Sequence, residues 1–174
     1  MVRRIIKSTK KAEKTTIYLG PIPLDVYQMP DGSYKLYVES VTAAIERPKN
    51  DLLRFLSGKS PQALPYKNRN LLREPMIEVE GYGGYIKPIP VELATTYWLY
   101  RAIKGNVIAQ ALIQASLVES IERRADMAFE CKRTEQEYNQ KFGDRLEEFL
   151  AYNKQEIVDR RLPGDDLYLP PGIN

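Results

Sequence analysis

The sequence predicts an α+β fold: an N-terminal β-hairpin, a helix-turn-helix-like cluster of short helices, a second β-hairpin and a C-terminal helical bundle or extension. Three observations predict it. Apolar residues alternate with polar ones between Thr16 and Val38. Short apolar groups punctuated by Pro48, Gly58 and Pro61 follow. From Pro90 onward, apolar residues recur at helical spacing.

Residues 1–15 carry six Lys/Arg against one Glu and little periodicity, so they are expected to form a flexible basic arm that follows phosphates or merely solubilises the chain. The stretch "TIYLGPIP" reads as a first strand. "IPLDVYQM" and "SYKLYVE" then alternate across "PDGS", with Leu24, Val26, Tyr34, Leu36 and Val38 at period-two positions. Asp31-Gly32 signals a tight primed turn, which needs positive φ.

Ser40 is expected to cap a helix from Val41 that ends before Pro48. Asn50 would cap the second helix, with Leu52, Leu53 and Leu56 facing inward and Gly58 as its left-handed C-terminal residue. Asn50, Arg54 and Ser57 then share the outer face. Ser60-Pro61 restarts a third turn, because proline is tolerated at the first helical position. Residues 66–75 read as a basic loop, and "MIEVEGYGGYIKPIP" as a second hairpin with its glycines at the tip. Gly81-x-Gly83-Gly84 lacks the spacing of a nucleotide-binding loop.

Pro90 and Glu92 suit the first turn of a helix that ends at Gly105. Asn106 should cap a long helix from Val107 to a break at Gly143. Its first half is apolar on nearly every side, and its charged second half is expected to project into solvent or pair with another copy. A single stripe does not hold Leu112, Ile113 and Leu117 together, so these residues and Ile121 are expected to form a homodimer interface. A further amphipathic helix follows, stopped by Pro163-Gly164, and the Pro/Gly-rich end reads as extended. The expected units are the arm at 1–15, an α+β domain at 16–130, a helical extension at 131–162 and a tail at 163–174.

Composition removes much chemistry. Histidine is absent, which excludes Ser-His-Asp and Cys-His nucleophiles and H-E-x-x-H zinc sites. The single cysteine, Cys131, excludes an internal disulfide and fits a reducing cytoplasm. The first residues lack the apolar core of an export signal, and no run approaches a membrane span. No cofactor is implied.

Charge is distributed unevenly. Residues 1–73 hold 14 Lys/Arg against six Asp/Glu, whereas the whole chain is only +3. A basic half suits a polyanion. The sharpest cluster is Arg47, Lys49, Arg54, Lys59, Lys67, Arg69 and Arg73, opposed only by Asp51. Such cations neutralise phosphates, while Asn50, Arg54 and Ser57 would face base edges and Tyr66 would stack on a base. Tyr97, Trp98 and Tyr100 read as core packing rather than a ligand pocket. For catalysis, Glu78 and Glu80 share a strand face and form a candidate Mg²⁺ pair; Asp165-Asp166 is a second carboxylate pair, and Glu130-x-Lys132 falls in a helix.

Two segments carry a resemblance. "DGSYKLYVESVTAAIERPKNDLLRFL" and "GGYIKPIPVELATTYWLYRAI" resemble the KilA-N and Bro-N type domains of phage and large-DNA-virus proteins. Several members have a histidine where this chain reads "IKPIP". Lys59–Lys67, Ile89–Trp98 and Glu119–Asp126 are also similar to segments of small uncharacterised cyanobacterial proteins. The KilA-N resemblance implies DNA binding and transcription regulation of a mobile-element type. The alternatives are a protein–protein adaptor working through helices 107–160, or a small Mg²⁺-dependent nuclease.

Overall fold

A computed structural model describes residues 11–67 and 76–159. The first ten residues, Arg69, Arg73 and the end of the chain with its Pro163-Gly164 stop and Asp165-Asp166 pair lie outside them.

The fold is α+β. Strands β1 (Glu13–Leu19) and β2 (Ile22–Gln28) form a long antiparallel pair. Strands β3 (Tyr34–Leu36) and, far along the chain, β6 (Ile89–Pro90) complete a four-stranded sheet in the order β1-β2-β3-β6. Register aligns Val26, Leu36 and Ile89 across it. All three are buried, so this row is the sheet's contribution to the main core. Tyr34 shares the alternation but is exposed at the hairpin end. Strands β4 (Ile77–Glu78) and β5 (Tyr85–Ile86) make the second hairpin, with Gly81 and Gly83 at positive φ in its tip. It packs Val79 and Ile86 against Ala12, Tyr27 and Met29. Strand β2 is therefore covered on both faces: Leu24 and Val26 on one, Tyr27 on the other.

The end of the expected basic arm belongs to this sheet. Strand β1 starts at Glu13, and Ala12 bridges Val79, donating to the Glu78 carbonyl at 2.9 Å. The turn after β2 also differs from the primed type. Gly32 alone takes a positive φ there, of 84°, and its N–H donates to the Met29 carbonyl. Pro30 explains this, since its ring holds φ negative where a primed turn requires the opposite sign.

Helix α1 (Val38–Ala43) begins three residues before the expected start. Ser40 is not its cap; its hydroxyl donates to the Tyr37 carbonyl and accepts from the Asp25 amide, fastening the helix to β2. The chain leaves α1 through Glu46 at φ 53°, before Pro48 is reached. Helix α2 (Lys49–Ser57) starts directly after Pro48, which places Asn50 in its first turn rather than at its cap. Gly58 follows in extended, not left-handed, backbone; a Cβ there would lie 3.1 Å from the Arg54 carbonyl oxygen. The inward arc of α2 is Asp51, Leu52, Phe55 and Leu56. Leu53, about 100° round the helix from Leu52, falls outside this arc and is 38% exposed. A 3₁₀ turn at Pro61–Ala63 leads into α3 (Leu64–Lys67).

Helices α4 (Val91–Ile103), α5 (Val107–Ala128) and α6 (Glu135–Asp159) build the rest. Asn106 caps α5 as expected, accepting from the Ala109 amide at 2.8 Å, and its amide also donates to the Ile45 carbonyl. Helix α5 stops at Ala128 instead of running to Gly143. Thr134 and Glu137 explain the restart: each side chain accepts from the other's backbone N–H, a reciprocal cap that starts α6. Gly143 sits inside α6, facing the β1–β2 turn. Gly20, at φ 61°, passes so close that a Cβ on it would lie 2.9 Å from the Gly143 nitrogen. Phe142 and Leu146 join the main core, so α6 is a structural wall of it. Among the described residues, no helix is long and apolar enough to cross a membrane.

Candidate nucleic-acid interface

The orientation of α2 is set by one buried carboxylate. Asp51 is 3% exposed and accepts from the Tyr97 hydroxyl at 2.6 Å, from Arg47 at 3.3 Å and from Arg101. Burial pushes its pKa up, but the Tyr97 hydroxyl and the two guanidinium groups outweigh that and hold it below the usual carboxylate range. Burial and the same carboxylate push the Tyr97 hydroxyl upward. Phe55 stacks between Tyr97 and Tyr100, with ring centroids 5.7 and 4.8 Å away. Arg101 lies over the Tyr100 ring, and Trp98 donates its indole N–H to the Val41 carbonyl at 2.8 Å. These contacts place Tyr97 and Trp98 in the core, as their spacing predicts. They also turn Asn50, Arg54 and Ser57 outward.

The basic cluster divides into engaged and open members. Arg47 is held by Asp51, Lys49 by Glu39, and Lys67 by the Gly58 carbonyl. The Glu39 carboxylate raises the Lys49 pKa. The Arg54 guanidinium and the Lys59 ammonium have no ion-pair partner among the described residues, and both are exposed beside exposed Asn50 and Ser57. Tyr66 does not stand free for stacking: its hydroxyl lies 3.0 Å from both the Glu92 carbonyl and the Thr96 hydroxyl, fixing α3 to α4. Arg69 and Arg73 fall outside the described residues.

The expected dimer face also divides. Leu112 is fully buried in the core, and Ile113 is partly buried against it. Leu112 is therefore a core residue, not an interface residue, because helices on either side cover it. Leu117 and Ile121 remain 61% and 60% exposed. The charged half of α5 packs one side against α6, while Arg124 and Met127 stay exposed. Glu122 takes Lys141 and Arg145 of α6 at 3.2 and 2.5 Å, and Asp126 takes Tyr138 and Arg133 at 2.7 and 2.9 Å. Arg123 pairs with Glu119 at 2.7 Å and lies over the Tyr138 ring. The i, i+4 spacing of α5 predicts the Glu119–Arg123 pair, whereas the partners of Glu122 and Asp126 beyond α5 are not read from the sequence, although the T-x-x-E cap is visible.

Of the candidate Mg²⁺ pair, Glu78 is bound to Lys11 at 2.6 Å. Among the described residues, no three His, Cys, Asp or Glu side chains converge as a metal site. Glu130 lies in the turn between α5 and α6, not in a helix. No protein-family model, curated protein or solved structure matches the chain.

Proposed function

We propose that the chain binds duplex DNA through the outer face of α2, as a cytoplasmic regulator of the phage or mobile-element type. The observation that carries this reading is the pairing state of α2 and its C-terminal flank. The helix is anchored from behind by Asp51, Phe55 and Leu56, and it turns Asn50, Arg54 and Ser57 outward with Lys59 just beyond. Arg54 and Lys59 have no carboxylate partner among the described residues. A rigid helix with unneutralised cations and short polar side chains suits phosphate contacts and base edges together. Lys49 and Arg47 flank this face at the helix start. The Lys49–Glu39 pair is half-exposed, and phosphates compete readily with such a pair, whereas Arg47 stays held by buried Asp51.

Arg54→Ala tests the reading. It should cost about 1–3 kcal/mol at one preferred base position and spare non-specific binding. Equal loss on every duplex would make Arg54 a phosphate contact only. A second reading, self-association through Leu117 and Ile121, rests on their exposure one helical turn apart on α5. It is compatible with the first, since a two-fold dimer would present two copies of α2.

A further inference from the structure

A separate cavity lies on another side of α2, between the helix, the start of α1 and the second hairpin. Its volume is about 310 Å³, at the lower end of the range for small-molecule sites. Buried Leu52, Leu56 and Leu93 line it, and exposed Leu53, Met76 and Tyr85 border it. Among the described residues, three charged ones contribute, Glu39, Lys49 and Lys87. Glu39 and Lys49 neutralise each other. Lys87 is half-buried, and its ammonium has no ion-pair partner among the described residues. Among the described residues, the cavity therefore combines apolar walls with one positive charge that no carboxylate pairs.

We propose that this cavity binds a small amphipathic monoanion, an apolar chain or ring bearing one carboxylate, with Lys87 receiving the anionic head. Charge complementarity selects the class. A dianion would leave one charge unmatched, and a neutral apolar molecule would leave the Lys87 charge without a partner. The volume suits a small molecule rather than a helix or a folded partner. The inference does not rest on DNA binding.

The test uses the full chain without DNA. Anilinonaphthalene sulfonate fluorescence should rise saturably on the folded protein, and decanoate should displace the dye. Lys87→Met keeps the apolar stem and removes the charge. It should weaken decanoate about tenfold or more, as expected for a lost charge-assisted hydrogen bond, while decanol competes unchanged. Leu53→Glu, at an exposed position, should weaken decanol and weaken decanoate at least as much, because the new carboxylate both disrupts the apolar wall and repels the anion. Absence of saturable dye binding, an unchanged decanoate affinity in Lys87→Met, or an unchanged affinity for both in Leu53→Glu would each overturn the proposal.

Discussion

Asp51 and Gly20 each constrain the fold through a different physical term. Asp51 is a buried anion whose partners come from the connection between α1 and α2 and from α4. Asp51→Asn leaves Arg101 facing a neutral group in the interior and should destabilise the protein by about 3–5 kcal/mol. The sign of the pH effect follows from its depressed pKa. Its stabilising contribution is complete above the ordinary carboxylate pKa and is lost as pH falls through the lower folded value. Urea unfolding at neutral and acidic pH should therefore show a smaller acid loss in Asp51→Asn than in the wild type; an equal loss would assign the acid sensitivity to Asp25 and Glu122 instead. Gly20 and Gly143 are neighbours with opposite expectations. Gly20→Ala meets both a left-handed φ and the Gly143 backbone, and should cost at least about 1–3 kcal/mol. A Cβ on Gly143 would sit 3.7 Å from Pro21, an ordinary contact. Gly143→Ala removes helix-interior glycine entropy and should stabilise by about 0.5–1 kcal/mol, a Tm rise of a few degrees by calorimetry.

At the scale of elements, the strands and the number of helices were legible because periodicity reports burial directly. Leu24, Val26 and Leu36 alternate in sequence and align in the sheet. Helix ends were less legible, because several local signals compete at each one. Ser40 has the chemistry of a cap but uses its hydroxyl to hold α1 to β2. Gly143 looks like a breaker, yet it lies within α6, where a Cβ would make only ordinary contact with Pro21. Pairing between residues distant in sequence was not legible. Glu39 and Lys49 are ten residues apart, and Asp51 and Arg101 fifty, so the sequence alone did not reveal which cations of the cluster stay open. The outer face of α2 was read correctly, with Asn50, Arg54 and Ser57 exposed, whereas the inward set needed the tertiary partners of Asp51 and Phe55.

At the scale of the whole molecule, a basic N-terminal half is joined to a C-terminal half in which Glu119, Glu122, Asp126 and Glu135 are paired within the α5–α6 clamp. Leu117 and Ile121 are the remaining apolar positions of the expected dimer face. Sedimentation at tens of micromolar should give a dimer that Leu117→Lys converts to a monomer of 20.0 kDa. A wild-type monomer would remove the second reading and leave DNA binding to a single copy of α2. The central claim concerns that helix, and salt dependence tests it most directly. Duplex DNA is titrated with the wild type and with a Lys49→Ala, Lys59→Ala double variant over a range of salt concentrations. Removing two phosphate-facing cations should reduce the log–log salt slope by about 1.8. An unchanged slope, or wild-type binding that is absent even at low salt, would contradict the assignment of a DNA-binding face to α2.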